Sequence, residues 1–179
     1  VKFLKSNLNL DLNYNFSRIP GLINELSNFS NSHTVGLGLT LSSNISDKVD
    51  FNISARPSYN KAINSLQSAS NTSFFNLNSR LGLNWQILEG FVFRTDLASQ
   101  YYSGLASGFN QNYLLWNMGI GKKIFKNQRG ELTLSINDLL NQNRSISRNV
   151  TETYIEDVQT NALTRYVMLT FTYNLRHFD

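Results

Sequence analysis

The segment NLNLDLNYNF, residues 7–16, decides the fold class. Every second residue in it is apolar, from Leu8 to Phe16, and the residues between them are Asn or Asp. Successive side chains of a β-strand point to opposite faces, so this alternation predicts a strand with one apolar and one polar face. The alternation recurs in seven further segments, which are residues 33–44, 48–60, 74–88, 91–102, 112–125, 131–142 and 163–178. The sequence therefore predicts an all-β protein with eight strands.

The connections between these segments alternate in length. Tight connections are expected at 46–48, 88–90 and 125–130, and longer polar ones near 19–31, 61–72, 103–111 and 142–160. Short turns at one end and long loops at the other are typical of up-and-down barrels of the outer membrane, whose short turns are periplasmic. We therefore predict eight antiparallel transmembrane strands, with residues 1–179 forming one β-barrel segment.

Composition leaves a soluble β domain and a membrane barrel as the two classes to separate. The chain has 179 residues, charged residues are only 16%, and the mean hydropathy is −0.28 with no apolar run long enough for a membrane helix. The polar face of a soluble sandwich usually carries Lys and Glu, whereas here it carries Asn, Ser, Thr and Gly. Small neutral groups of this kind suit a hydrated barrel interior, because they hydrogen-bond without the desolvation cost of a charge. A soluble ligand-binding barrel of the lipocalin type would instead need an apolar interior.

Several kinds of functional site are not expected. The chain has no cysteine, and its two histidines, His33 and His177, are far apart, so we predict no metal site and no cofactor. The only candidate for hydrolase chemistry is His33 with Ser30 and Ser32 nearby, which is too little for a catalytic constellation, and we expect no enzyme. The net charge of +4 is scattered singly without a recognition motif, so nucleic acid is not an expected partner.

The alternation assigns a predicted environment to particular side chains. The residues predicted to face lipid are Leu81, Leu83, Phe93, Leu97, Leu134, Leu169 and Phe171. The polar residues predicted to face the lumen are Asp11, Arg56, Arg80, Arg94 and Asp96. Aromatic residues gather near strand ends, where outer-membrane barrels carry interfacial girdles, and the candidates are Trp85, Tyr101, Tyr102, Tyr113, Tyr173 and Phe178.

The last third of the chain resembles a known family. The element Asn-Asp-Leu-Leu-Asn at 137–141, followed by Phe171, Tyr173, Leu175 and Phe178, is similar to the last two strands of the TonB-dependent-receptor-like outer-membrane β-barrel family. The resemblance covers residues 130–179. It implies the carboxyl-terminal wall of a large barrel in the outer membrane of a Gram-negative bacterium, providing a pore scaffold for uptake or assembly.

The resemblance also implies partners. They are outer-membrane lipids, the outer-membrane assembly machinery, surface lipoproteins or a larger complex, and the remaining strands of the barrel together with a plug domain. A receptor barrel of this kind has about 22 strands, whereas the chain supplies eight and no segment of it reads as a plug domain. The chain begins at Val1 within a patterned stretch, which we interpret as a processed chain or a fragment.

A self-contained eight-stranded barrel with a structural or adhesive role is the alternative. The interior of so narrow a barrel is filled by side chains. The polar faces of this chain are rich in Gly, Ser and Asn, which would fill such an interior poorly. The sequence therefore favours the larger barrel and leaves the alternative open.

Overall fold

The computed structural model describes residues 6–46, 48–104, 112–143, 145–150, 155–160 and 163–175. Regular structure in these residues is almost entirely β, with 3₁₀ turns at 68–70 and 126–128. No helix in the described part of the chain is long and apolar enough to cross a membrane. The strands are β1 (Ser6–Ile23), β2 (Leu26–Ser46), β3 (Val49–Asn64), β4 (Thr72–Leu88), β5 (Phe91–Ser103), β6 (Tyr113–Ile124), β7 (Gly130–Asn137), β8 (Ser145–Val150), β9 (Ile155–Thr160) and β10 (Tyr166–Tyr173).

Eight of the strands form one antiparallel sheet in the order β1-β2-β3-β4-β5-β6-β7-β10. Each strand pairs with the next in sequence except that β7 pairs with β10, and β8 and β9 form a separate hairpin between them. The predicted all-β, up-and-down architecture of eight strands is confirmed. The predicted loop at 142–160 was wrong where β8 and β9 form, because six-residue segments rich in polar residues give little periodic signal.

The predicted long loop at 19–31 was also wrong. β1 and β2 remain paired up to Ile23 and Leu26, and only Asn24 and Glu25 form the turn. Their φ angles are 50° and 68°, as in the type I′ turn, whose twist matches that of the flanking strands. Pro20 lies within β1 opposite Phe29, on a strand that has one neighbour in the described sheet.

This turn gives a first prediction. Glu25 holds a left-handed conformation, which costs a residue with a Cβ about 1–2 kcal/mol. The Glu25→Gly change removes that cost but adds backbone entropy to the unfolded chain, so we expect a net gain in unfolding free energy of roughly 0.5 kcal/mol. Urea unfolding in lipid vesicles would measure this gain. Asn24→Gly is the matched control, because Asn already tolerates the left-handed conformation. A loss of stability in Glu25→Gly would contradict the turn geometry.

The sheet has two faces, and no protein layer covers the apolar one in the described residues. Directly paired residues share a face, and the ladders join Leu8, Leu41, Ile53, Leu81, Leu97 and Trp116 in one continuous apolar row. Many large apolar side chains remain solvent-exposed, including Leu12 at 75% and Leu169 at 66%. A sandwich would bury this face against a second sheet, and in the part of the chain described no sheet packs on it.

Both edges of the sheet are open within the described residues. β1 pairs only with β2, and β10 pairs only with β7. No pairing between β1 and β10 closes the eight strands on themselves in this part of the chain.

Candidate functional site

The residues predicted to face lipid all lie on the apolar face of the sheet. Leu81 pairs with Leu97, and Leu134 pairs with Leu169. Leu83, Phe93 and Phe171 have the same parity on their strands and therefore share that face. These positions agree with the alternation, and lipid exposure itself stays a prediction.

The polar groups of Trp116 and Thr95 on the apolar face are hydrogen-bonded within the sheet. The indole Nε1–H of Trp116 donates to Thr95 Oγ1 at 2.8 Å. The hydroxyl of Thr95 in turn donates to the backbone oxygen of Asn117 at 3.2 Å. A hydrogen-bonded indole and hydroxyl are compatible with a face that meets lipid, where an unpaired donor would be costly.

The five residues predicted to face the lumen all lie on the opposite, polar face. Arg80 Nε donates to Asp96 Oδ2 at 2.7 Å, so the structure brings these two together. Arg94 pairs instead with Glu131, through two hydrogen bonds of which one is 3.1 Å long. Within the described residues Arg56 has no ion pair. The Asp11 carboxylate lies over Gly38, where a Cβ would collide with it.

Sequence reasoning missed Glu131 as a partner of Arg94. Glu131 lies on β7 and Arg94 on β5, and they reach each other across β6 at Gly121. Glu131 also accepts a hydrogen bond from Thr133 Oγ1 at 2.9 Å. The alternation on β7 places Glu131 on the polar face, and this could have been predicted. Its contact with Arg94 across β6 depends on how β5, β6 and β7 are aligned, and the sequence does not determine that alignment.

Two hollows on the polar face, each lined by residues of several neighbouring strands, show that this face is concave. One of about 570 Å³ is lined by residues of β1 to β5, including Asp50, Asn84 and Arg94. A second of about 460 Å³ is lined by Arg56, Arg80 and other residues of β2 to β6. The sheet therefore curls around its polar side, as a barrel wall curls around its lumen.

The predicted aromatic girdle divides between the two faces. Trp85, Tyr101 and Tyr173 lie on the apolar face. Tyr102 and Tyr113 lie on the polar face, because their parity is that of Arg94 and Asn117 on the same strands. The register therefore does not place Tyr102 and Tyr113 in an outward-facing girdle. Phe178 lies outside the described residues, as does His177.

Comparison with known families decides the class of protein. A model of an outer membrane protein β-barrel family matches residues 5–173. This chain belongs to that outer membrane β-barrel family. The predicted location in the bacterial outer membrane is thereby confirmed, as is the barrel-wall role at this level. No curated protein and no solved structure was found to match.

The 137–141 element of this outer-membrane barrel protein forms a tight turn around the buried side chain of Asp138. Asp138 is only 2% exposed and has a φ of 51°. Its carboxylate accepts the backbone N–H groups of Gln142 at 2.8 Å and Asn143 at 3.0 Å. Its own N–H donates to Asn117 Oδ1 at 2.8 Å. The element therefore fastens the start of the 138–165 connection to β6.

Other side chains do not assemble into a metal-binding group. Among the described residues no three His, Asp or Glu side chains come together as possible metal ligands. His33 lies on the apolar face and shares a 2.8 Å hydrogen bond with Tyr14 Oη.

The two ion pairs of the barrel's polar face give a second prediction. The Arg94 and Glu131 side chains are 44% and 19% exposed and share two hydrogen bonds, whereas Arg80 and Asp96 are 65% and 30% exposed and share one. We expect double-mutant cycles to give a coupling free energy of about 1 kcal/mol for the first pair and below ~0.5 kcal/mol for the second. Urea unfolding of the Gln and Asn variants in vesicles would measure both. A stronger coupling in the Arg80–Asp96 pair would contradict the geometry.

Proposed function

We propose that this chain forms part of the wall of a large outer-membrane transporter barrel of the TonB-dependent-receptor-like kind. The observation that carries the proposal is the open sheet with a concave polar face. β1 and β10 each have one neighbour in the described residues, and the hollows lie on the polar side. In this role the strands are a scaffold that surrounds the path of a solute rather than an enzyme.

The open edges favour a larger barrel. In lipid, an unpaired backbone N–H or C=O costs several kcal/mol, so a sheet edge must pair with another strand. The open edge of β1 extends from Ser6 to Ile23, and that of β10 from Tyr166 to Tyr173. Further strands that pair with both edges would complete the wall. Closure of these eight strands on each other would instead give the self-contained barrel.

The inward face also favours a wide lumen. The interior of an eight-stranded barrel is just wide enough for side chains to fill it. Here the polar face is lined largely by Asn, Ser, Thr and Gly, and it keeps hollows as large as about 570 Å³. Small neutral side chains suit a space that holds water, a solute or a plug domain.

The positions of aromatic side chains support a bilayer of ordinary thickness around the apolar face. On β5, Phe93 and Tyr101 are eight residues apart, and on β4, Phe75 and Trp85 are ten apart, all on the apolar face. At about 3.3 Å per residue and a tilt of roughly 40°, these spacings correspond to a height of about 20–25 Å. Outer-membrane barrels carry an apolar band of about 25 Å between their aromatic girdles.

The connections support an orientation with the tight turns in the periplasm. The connections at one end, near 47–48, 89–90 and 125–129, are short. At the other end 65–71, 104–112 and 138–165 are longer, and the β1–β2 turn at 24–25 is the short one. Barrels of the outer membrane keep their longer loops outside. Under this proposal the partners are the assembly machinery and lipids of the outer membrane, the remaining strands, a plug domain and, at the outer loops, surface lipoproteins.

Cysteine cross-linking tests closure, since the chain has no native cysteine. Leu10→Cys on β1 is combined in turn with Val167→Cys, Leu169→Cys and Phe171→Cys on β10, in the native protein in outer membranes. The control pair is Leu10→Cys with Leu39→Cys, which face each other across β1 and β2. We expect cross-linking in the control pair alone, together with an intact mass of the native polypeptide well above 20.4 kDa. Cross-linking from β1 to β10 would support the eight-stranded barrel instead.

A second experiment tests transport. A strain that lacks the native protein and the same strain carrying it are grown in one nutrient mixture, and the medium of each is followed by mass spectrometry. Transport predicts that at least one solute is depleted only when the protein is present. Identical depletion in both strains would leave a structural or adhesive role as the better description.

A further inference from the structure

The apolar face of the sheet carries ionisable side chains only near its two ends. Arg18, His33 and Lys61 lie towards the end that carries the β1–β2 turn and the longer connections, and Lys122 lies towards the opposite end. Phe16, His33 and Lys61 form one cross-strand row, and Arg18 lies on the next row outward. The acidic side chains of the eight described strands all lie on the polar face, and they are Asp11, Asp50, Asp96 and Glu131. Within these strands the apolar face therefore carries Arg18, Lys61 and Lys122 and no carboxylate.

These cations lie among the outer aromatic side chains of the apolar face, because Phe16 is level with Lys61 and Phe29 lies one row beyond Arg18. Lys61 is two residues beyond Tyr59 on β3, and Arg18 is four residues beyond Tyr14 on β1. At about 3.3 Å per residue, they lie roughly 7 and 13 Å further along their strands. If the aromatic side chains mark the edge of the hydrocarbon, the cations lie at the level of lipid headgroups.

Local contacts leave the cationic groups available to a ligand. Arg18 Cζ lies 4.0 Å from the centre of the Phe29 ring, which orients the guanidinium. The centre of the His33 ring lies 4.9 Å from that of Phe16, with the rings tilted by 42°. His33 Nδ1 shares a hydrogen bond with Tyr14 Oη, so Nε2 is the nitrogen left for a ligand. Arg18 and Lys61 are exposed and have no ion pair within the described residues.

We propose that Arg18, His33 and Lys61 form a site on the outer wall of the barrel for the phosphate groups of an anionic lipid of the outer leaflet. Guanidinium and ammonium groups make strong charge-assisted hydrogen bonds to phosphate oxygens, and no neighbouring carboxylate on this face competes for them. Complementary charge at headgroup depth is the argument for a lipid as the occupant. The assignment to the outer leaflet rests on the orientation given under the proposed function.

Lipid binding to the native protein tests the site directly. The protein is reconstituted in nanodiscs of phosphatidylcholine with a small fraction of bisphosphorylated lipid A, and the bound lipid A is measured by native mass spectrometry. We expect the Arg18→Gln/Lys61→Gln double variant to bind lipid A on the order of 10- to 30-fold more weakly than the wild type. The conservative double variant Arg18→Lys/Lys61→Arg keeps the charges and is expected to bind within about threefold of the wild type.

Matched controls separate the site from a general effect of charge. Lys122→Gln removes a cation from the same face at the opposite end, and it is expected to leave lipid A binding unchanged. Dephosphorylated lipid A is expected to bind the wild type no better than it binds the Gln double variant. Equal binding by the wild type and the Gln double variant would overturn the proposal, as would equal competition by phosphatidylglycerol.

A labelling experiment keeps this test separate from the proposed function. The Leu22→Cys variant carries a thiol near the tip of the β1–β2 hairpin, where Leu22 is 73% exposed. Labelling of intact cells by a membrane-impermeant maleimide supports the outer-leaflet position, and labelling only after permeabilisation overturns it. Barrel closure is judged by the β1–β10 cross-link alone, so the lipid site and the large barrel can fail independently.

Discussion

We expect the Leu97→Arg variant to lose about 2–4 kcal/mol of unfolding free energy when the protein is folded in lipid vesicles. Leu97 lies on the apolar face of β5, midway between Phe93 and Tyr101 and paired with Leu81 and Trp116. If these aromatic residues mark the two interfaces, position 97 lies near the midplane. A guanidinium there must lose its hydration or drag water into the hydrocarbon.

The control for this prediction is Tyr101→Arg on the same strand and the same face. Near an interface an arginine can extend to the headgroups, so its cost is expected to be about 0–1 kcal/mol. Urea titrations of both variants in vesicles provide the measurement. Equal costs at positions 97 and 101 would show that the depth assignment is wrong, and a negligible cost at position 97 would argue against lipid contact on this face.

The sequence predicts the faces of the sheet well because alternation is local. Each strand needs only its own residues to place Leu97 on one side and Asp96 on the other, and the register keeps these assignments consistent across the ladders. Tyr102 and Tyr113 show the limit of reasoning from residue type. Aromatic residues are typical of girdles, but the strand parity of these two tyrosines turns them towards the polar face.

The features that the sequence did not predict depend on relations between distant residues or on unusual backbone. The ion pair of Arg94 with Glu131 joins residues 37 positions apart. The β1–β2 turn places Glu25 at a positive φ, a position where Gly is the usual signal. The signal at 137–141 was visible as a motif, but its physical role depends on the burial of Asp138, which only the structure shows.

That burial leads to the second large effect. We expect Asp138→Ala to lower the unfolding free energy by about 2–4 kcal/mol, because the backbone N–H groups of Gln142 and Asn143 both lose their acceptor. The site is 2% exposed, so water replaces the carboxylate poorly. Loss of the fastening would also release the 138–165 connection, and proteolysis at its residues is expected to accelerate.

Two further variants separate the carboxylate from the backbone it supports. Asp138→Asn keeps the side-chain shape and one acceptor oxygen, so about half of the loss is expected. Asn117→Ala removes the acceptor of the Asp138 N–H and the link to β6, at an expected cost of about 1–2 kcal/mol. If the two N–H groups dominate, the unfolding free energy rises in the order Asp138→Ala, Asp138→Asn, wild type. Equal losses in the two Asp138 variants would instead assign the stabilisation to the negative charge. Asn tolerates the positive φ of Asp138 as Asp does, whereas Ala does not, so part of the loss in Asp138→Ala is the cost of the left-handed backbone.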